Sequence, residues 1–336
     1  MVNTYPSMAG SGNPWEYWSA HRRKILEKIH EGLTTEEIAQ VFNQSTDQIL
    51  SELEPLLTAN LIKLGIEGFT PAFFMVDHRE TVKVYEHAEI TGHKLVETLM
   101  PLWGLLEAGY RELSPSKQYP FSEQSFMLVG SRILDIGILT ALTRDRTLLT
   151  EAPMRPSPDR PDAQYYFWMI EGEPKHLGKY GQNDTSLPWM DWHLLTFGKN
   201  MIDNKNNAAR EEFEEESREL IESNSIENPQ TLAEALNTPF LNKEESKQWA
   251  TLSKDTSEKL LTTLKENKEE FHKLLNGLKA SKYTSNSFGE FFCWYYHLVF
   301  ASAIDTLIEK KLITPPNDWY SPIILYRTGR EGILAA

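Results

Sequence analysis

Three groupings of side chains in this sequence are suited to recognition or chemistry. Gln44, Ser45, Thr46 and Gln48 crowd together at the start of an apolar-periodic segment. A helix N-terminus there would turn these groups and its own free amides toward phosphates or base edges, with Lys63, Arg79 and Lys83 as flanking cations. A second grouping lies between Glu151 and Gly198. Arg155 and Arg160 bracket a proline-stiffened run, and Tyr166, Trp168, Tyr180 and Trp192 follow, with His193 beside the last. Flat rings with a few polar groups make a pocket for a small effector, whose carboxylate or phosphate an arginine would clamp. The same residues also suit an aromatic sheet core with arginines on its rim. The third grouping is His176, Asp191 and His193, the donor types of a two-histidine, one-carboxylate metal site.

Catalytic signatures are otherwise missing. There is no His-Glu-x-x-His, no phosphate loop with its lysine, no dinucleotide fingerprint and no nucleophile elbow. His297, amid Tyr295, Tyr296 and Phe300, reads as a core histidine or a pocket group. The single Cys293 stands among aromatics without a basic neighbour, which argues against a reactive thiolate. No catalytic residue, metal ligand or cofactor is assigned on these grounds.

The elements that would position the first grouping are well marked. Asn13-Pro14 reads as a helix start, with the helix running to about Glu31 and stopped by Gly32. Thr34 to Glu37 is a capping box opening a short helix, and Ser45 to Gln48 is another. The third helix carries Ile49, Leu50, Leu53, Leu56 and Leu57 at helical spacing. Pro55 inside it should kink it or end it early. Leu61 to Leu64, a tip at Gly65 to Gly68 that includes Glu67, and Phe69 to Val76 then read as strand, turn and strand.

This order of capped helices and hairpin, over about Asn13 to Val84, resembles the winged helix-turn-helix superfamily that includes many bacterial transcription regulators. The resemblance covers the first quarter of the chain. It implies DNA binding through Gln44, Ser45, Thr46, Gln48, Lys63, Arg79 and Lys83. The third helix departs from the family's usual chemistry: it holds Asp47, Glu52 and Glu54 and no lysine or arginine. The same fold also serves as a protein-docking module.

Glu86 to Tyr110 reads as a long amphipathic helix bent at Pro101, either a homodimer seam or a core helix linking two domains. Phe126 to Gly130 reads as a buried strand or helix start. Asp203 to Lys282 is hydrophilic and reads as a charged helical insertion or interaction arm. Leu53 to Phe74 can be laid without a gap on Ile304 to Leu325, aligning Phe69-Thr70-Pro71 with Tyr320-Ser321-Pro322. A second winged-helix-like unit, made more basic by Lys310, Lys311, Arg327 and Arg330, or coincidence, accounts for this.

The expected fold is therefore α+β and mostly helical. An N-terminal winged helix occupies 13–85, and a linker or dimer helix with an aromatic-rich ligand region containing a small antiparallel sheet occupies 86–200. A charged insertion follows over 201–282, and a helix-plus-strand unit over 283–330. A chain of 336 residues, 40% hydrophobic and 24% charged, is an ordinary globular composition with room for two or three domains. The net charge of -14 argues against wholesale non-specific nucleic-acid binding. No uninterrupted apolar run has membrane-spanning length, and the first residues lack a signal-peptide pattern, so a cytoplasmic protein is expected. The leading expectation is a DNA-binding transcription regulator with ligand sensing. The alternatives are a protein-interaction adaptor and an enzyme with an appended winged helix.

Overall fold

A computed structural model describes residues 3–66, 68–156, 160–199, 204–223, 226–282, 287–317 and 320–328. Glu67, residues 157–159 of the proline-rich run and Arg330 lie outside the described residues. The protein is α+β and mostly helical.

The chain opens with a strand that its sequence did not announce, β1 (Asn3–Ser11). The helix expected from Asn13 is split. Asn13 makes no capping bond, Pro14–Tyr17 forms only a 3-10 turn, and Trp18 is extended. Ser19 is the real cap: its hydroxyl accepts from the Arg22 amide at 3.0 Å and starts α1 (Ala20–Glu31). Gly32, at φ 95°, ends that helix in the left-handed region. Both capping boxes form and open α2 (Thr35–Phe42) and α3 (Thr46–Thr58). Pro55 does not end α3 early, since the helix continues through Thr58. An antiparallel hairpin of β2 (Ile62–Gly65) and β3 (Gly68–Pro71) follows, with Ile62 opposite Pro71.

After β4 (Phe74–Val76) comes α4 (His78–Leu99), interrupted at Pro101 by a 3-10 turn and resumed as α5 (Trp103–Arg111). α6 (Phe121–Ser125) runs into a π-helical stretch, Phe126–Asp135, and then α7 (Ile136–Asp145). Phe126 to Gly130 is thus helix, not strand. Two carbonyls near the end of this stretch are tied to neighbouring helices. Leu134 accepts from the Tyr296 hydroxyl and Ile133 from Ser257 Oγ. The remaining elements are β5 (Gln164–Gly172), β6 (Tyr180–Ser186), β7 (Trp192–Lys199), α8 (Asn204–Glu222), α9 (Pro229–Ala235), β8 (Phe240–Leu241), α10 (Lys243–Glu266), α11 (Lys268–Asn276), α12 (Ser287–Glu309) and β9 (Tyr320–Tyr326).

One small antiparallel sheet was expected; the strands form two mixed sheets besides the hairpin. The first has the order β1-β5-β4, with β1 antiparallel and β4 parallel to β5. The second has the order β6-β7-β9-β8, with β8 parallel to β9. Strand alternation makes the first sheet a shared wall. Phe73, Met75, Tyr165, Phe167 and Met169 pack with α1 to α3, whereas Phe74, Val76, Tyr166, Trp168 and Ile170 enter the main core. The N-terminal unit therefore does not end at residue 85; β1 and β5 complete its core.

Three further expectations change. The apolar face of α4 packs on α12 and α10, which occupy the face that a dimer seam would need. The described residues of the charged 201–282 region pack on the body and do not project as an arm. Leu260, Leu261 and Leu264 of α10 lie in the main core, and Phe213, Leu220 and Ile221 of α8 cover the outer side of the second sheet. The aligned C-terminal segment is no second hairpin unit, because β9 is an inner strand between β7 and β8. Finally, Phe121–Asp145 and Phe288–Glu309 are long and apolar enough to cross a bilayer by length and composition. Both are largely buried inside the protein, as core helices are.

Candidate functional site

The N-terminal helices present an outward surface that the rest of the chain leaves open. α1 supplies the base, with Ile25, Leu26 and Ile29 fully inside, and α2 and α3 pack over it through Ile38, Ala39, Ile49, Leu53 and Leu56. The unit is anchored behind. Lys279 Nζ donates to the His30 carbonyl at the end of α1, and burial pushes the His30 imidazole down to about 4. Arg155 ties the connection between β3 and β4 to the body, donating to the Ala72 carbonyl at 2.7 Å.

On α3 the spacing 47, 50, 54, 57 marks one helix face. Asp47, Leu50, Glu54 and Leu57 are all exposed there, each leucine to 41%. Leu50 and Leu57 had the spacing of core residues, but five apolar positions span more than one stripe. Ile49, Leu53 and Leu56 take the core, and the other two are left outside. Val41 on α2 and Leu64 and Ile66 on the hairpin are exposed as well, Ile66 completely. Scattered exposed leucines are ordinary. Five large ones on three adjoining elements, two of them at i and i+7 of the same helix, are not ordinary.

The polar residues expected to meet DNA are only partly available. Ser45 and Gln48 cap α3 reciprocally, the Ser45 hydroxyl accepting from the Gln48 amide at 3.2 Å and Gln48 Oε1 accepting from the Ser45 amide at 2.8 Å. Gln44 Oε1 lies 3.2 Å from His21 Nε2, linking α1 to the turn before α3. Thr46 is half-buried. Lys63 is exposed on the hairpin, and Arg79 is exposed in the first turn of α4. Lys83, a turn further, is also exposed, but its Nζ sits by Gly277 at the end of α11. Arg22 of α1 is paired with Glu52 of α3 at 2.9 Å while also donating to the Tyr17 carbonyl. Arg22 is thus neutralised by α3 itself, and the Lys83 ammonium lies beside the end of α11.

The aromatic grouping does not close into a pocket. Arg155 is buried in an ion pair with Glu290, and Arg160 is exposed elsewhere. Tyr166 and Trp168 face the main core from the first sheet, Tyr166 donating to the Thr150 carbonyl. Tyr180 lies in the second sheet and donates to Asp305 at 2.7 Å. Trp192 stacks on Phe240, and His193 pairs with Asp184 at 2.5 Å. The rings are core and sheet-face residues on two separate sheets, which is the alternative the sequence left open.

The proposed metal trio is likewise dispersed. His176 packs against Tyr85 beside the first sheet, with burial holding its pKa down at about 4, whereas His193 lies on the second. Asp191 accepts from the Tyr326 hydroxyl. Among the described residues no three His, Cys, Asp or Glu side chains are placed to hold a metal. Burial pushes the Cys293 thiol up, and His297 donates to the Cys293 carbonyl within α12. Comparison of the chain with protein-family models, with curated proteins and with solved structures returned no match.

Proposed function

We propose that α1 to α3 with the β2–β3 hairpin are a winged helix that docks a protein, and that the chain acts as an interaction adaptor. The observation that carries this reading is the outer face of α3, where Leu50 and Leu57 alternate with Asp47 and Glu54 and no cation is present. Such a face repels phosphates and gains free energy by covering its leucines. The complementary partner is a protein segment carrying apolar side chains among lysines or arginines. Leu64 and Ile66, both exposed on the hairpin, would extend the contact beyond α3.

DNA binding is the second reading, favoured by the exposed Lys63 and the uncovered N-terminus of α3. One pair of measurements separates the two. A photo-crosslinking residue at Leu50 is expected to capture a discrete basic partner in cells, and Leu57→Glu is expected to abolish the capture. The purified chain is expected to give no gel shift with duplex DNA at low salt. A shift that fades steeply as salt rises would overturn the docking reading in favour of DNA.

A further inference from the structure

Far along the chain from α3, a cleft of about 550 Å³ opens between the π-helix and α7 on one side and α10 on the other. Its polar lining includes Arg132, Thr140, Arg144, Lys247, Ser253 and Lys254. Ile136, Ala141 and Ala250 supply apolar wall. No carboxylate lines it among the described residues.

The cations differ in kind. Arg144 and Lys247 reach acids at the margin, Glu258 at 2.6 Å and Glu244 at 2.8 Å, in half-exposed pairs that hold the side chains weakly. Lys254 is exposed. Arg132 is only 7% exposed, fixed near the end of the π-helix with the Asp135 carboxyl close enough to feel its charge. A guanidinium so enclosed, yet lining an open cleft, is positioned by the fold and not by solvent.

Two hydroxyls give the second, independent observation. Ser253 Oγ, on a residue only 5% exposed, makes no hydrogen bond, and neither does Thr140 Oγ1. Other hydroxyls of the same helix are satisfied: Ser257 donates to Ile133 and Thr256 to Leu252. A buried hydroxyl without a partner costs stability that a ligand atom would restore.

We propose that this cleft binds a small organic anion by its carboxylate or phosphate head. The Ser253 and Thr140 hydroxyls donate, Lys254 and Arg144 supply the charge that meets the head group, and Arg132 adds to the positive field from the wall. The ligand's hydrocarbon part lies against Ile136, Ala141 and Ala250. The inference stands apart from the docking surface, and its test involves no protein partner.

The test is a titration of the full chain with inorganic phosphate and, separately, with succinate, read by calorimetry and thermal shift against sodium chloride at matched ionic strength. Saturable stabilisation by one probe is expected, and which probe acts identifies the head group. Ser253→Ala is expected to leave the ligand-free protein as stable as before or more so. It should also weaken probe binding about ten-fold, the loss of one hydrogen bond to a charged group. Lys254→Ala, an exposed change, should weaken it without altering the fold. A response equalled by sodium chloride, no response to either probe, or affinities unchanged in both variants would overturn the proposal.

Discussion

The Arg155 guanidinium and the Glu290 carboxylate meet at 2.5 Å with their side chains 1% and 0% exposed. Arg155 also donates to the Tyr165 and Ala72 carbonyls, both at 2.7 Å, and Glu290 Oε1 accepts from the Phe167 amide at 3.3 Å. One ion pair thus joins the chain between hairpin and β4, the β5 wall and α12. With the shared β1-β5-β4 wall and the Lys279–His30 contact, it holds the N-terminal unit on the main core.

Breaking this pair from one side should be severe. Arg155→Met leaves the buried Glu290 carboxyl without its counter-charge and the Tyr165 and Ala72 carbonyls without their donor, and a loss of about 3–5 kcal/mol is expected in denaturant unfolding. The paired replacement Arg155→Met with Glu290→Leu removes both charges and should cost clearly less. If Arg155→Met changes stability by less than about 0.5 kcal/mol, the pair is not the tie that its geometry implies.

The buried acids also set a pH dependence. Burial pushes Asp135 from 3.8 to about 7 against the opposing charge of Arg132, and pushes Glu290 to about 7 against Arg155. Between the unfolded and folded values the native state holds the proton more tightly, so each acid's contribution falls as pH rises through that window. His30 and His176, held at about 4 from 6.5, act oppositely and gain stability as pH rises from 4 to 6.5. The whole-protein curve mixes these slopes, so a difference curve is needed. The stability of the parent minus that of Asp135→Asn should fall by on the order of a few kcal/mol between pH 4 and pH 7. A flat difference would mean that Asp135 ionises in the folded protein as it does in the unfolded chain.

Gly10 gives a backbone prediction. Its φ is +126°, and a Cβ there would stand 2.7 Å from the Gln164 carbonyl across the β1–β5 pair. Gly10→Ala should therefore destabilise by more than about 1 kcal/mol, measured by thermal unfolding, through both the strained φ and the clash. A neutral result would show that β1 can peel from β5 at little cost.

What the sequence displayed and what it concealed divide along physical lines. Capping boxes at Thr34 and Ser45 and the stop at Gly32 are written in residues close together, and those helix ends form where expected. β1 is concealed because Tyr5, Pro6, Met8 and Gly10 show no alternation, and its partner β5 lies some 160 positions away in the register Asn3 to Gly172. The aromatics of β5 and β7 looked alike in sequence; only sheet membership, a long-range property, separates Trp168 from Trp192. The exposed Leu50 and Leu57 were hidden by being leucines, since periodicity marks an apolar face but not which apolar face is covered. The Arg132 and Ser253 cleft joins residues about 120 positions apart and carries no local motif.

The acidic character of α3 yields the sharpest test of the docking proposal. Asp47 and Glu54 are exposed, and replacing both with lysine alters no buried contact. Stability should drop only by about 0.3–1 kcal/mol, mostly because Asp47 lies in the first turn, where the helix dipole favours an anion. If charge alone withholds this surface from DNA, Asp47→Lys with Glu54→Lys should acquire duplex binding at low salt. The logarithm of its affinity should then fall with the logarithm of salt at roughly −0.9 per phosphate neutralised. The parent chain should show no such binding under the same conditions. A folded double variant that still ignores DNA would mean that the shape of α3 and the hairpin, with Ile66 and Leu64 outermost, excludes the groove as well. That outcome would leave a protein partner as the occupant on steric as well as electrostatic grounds.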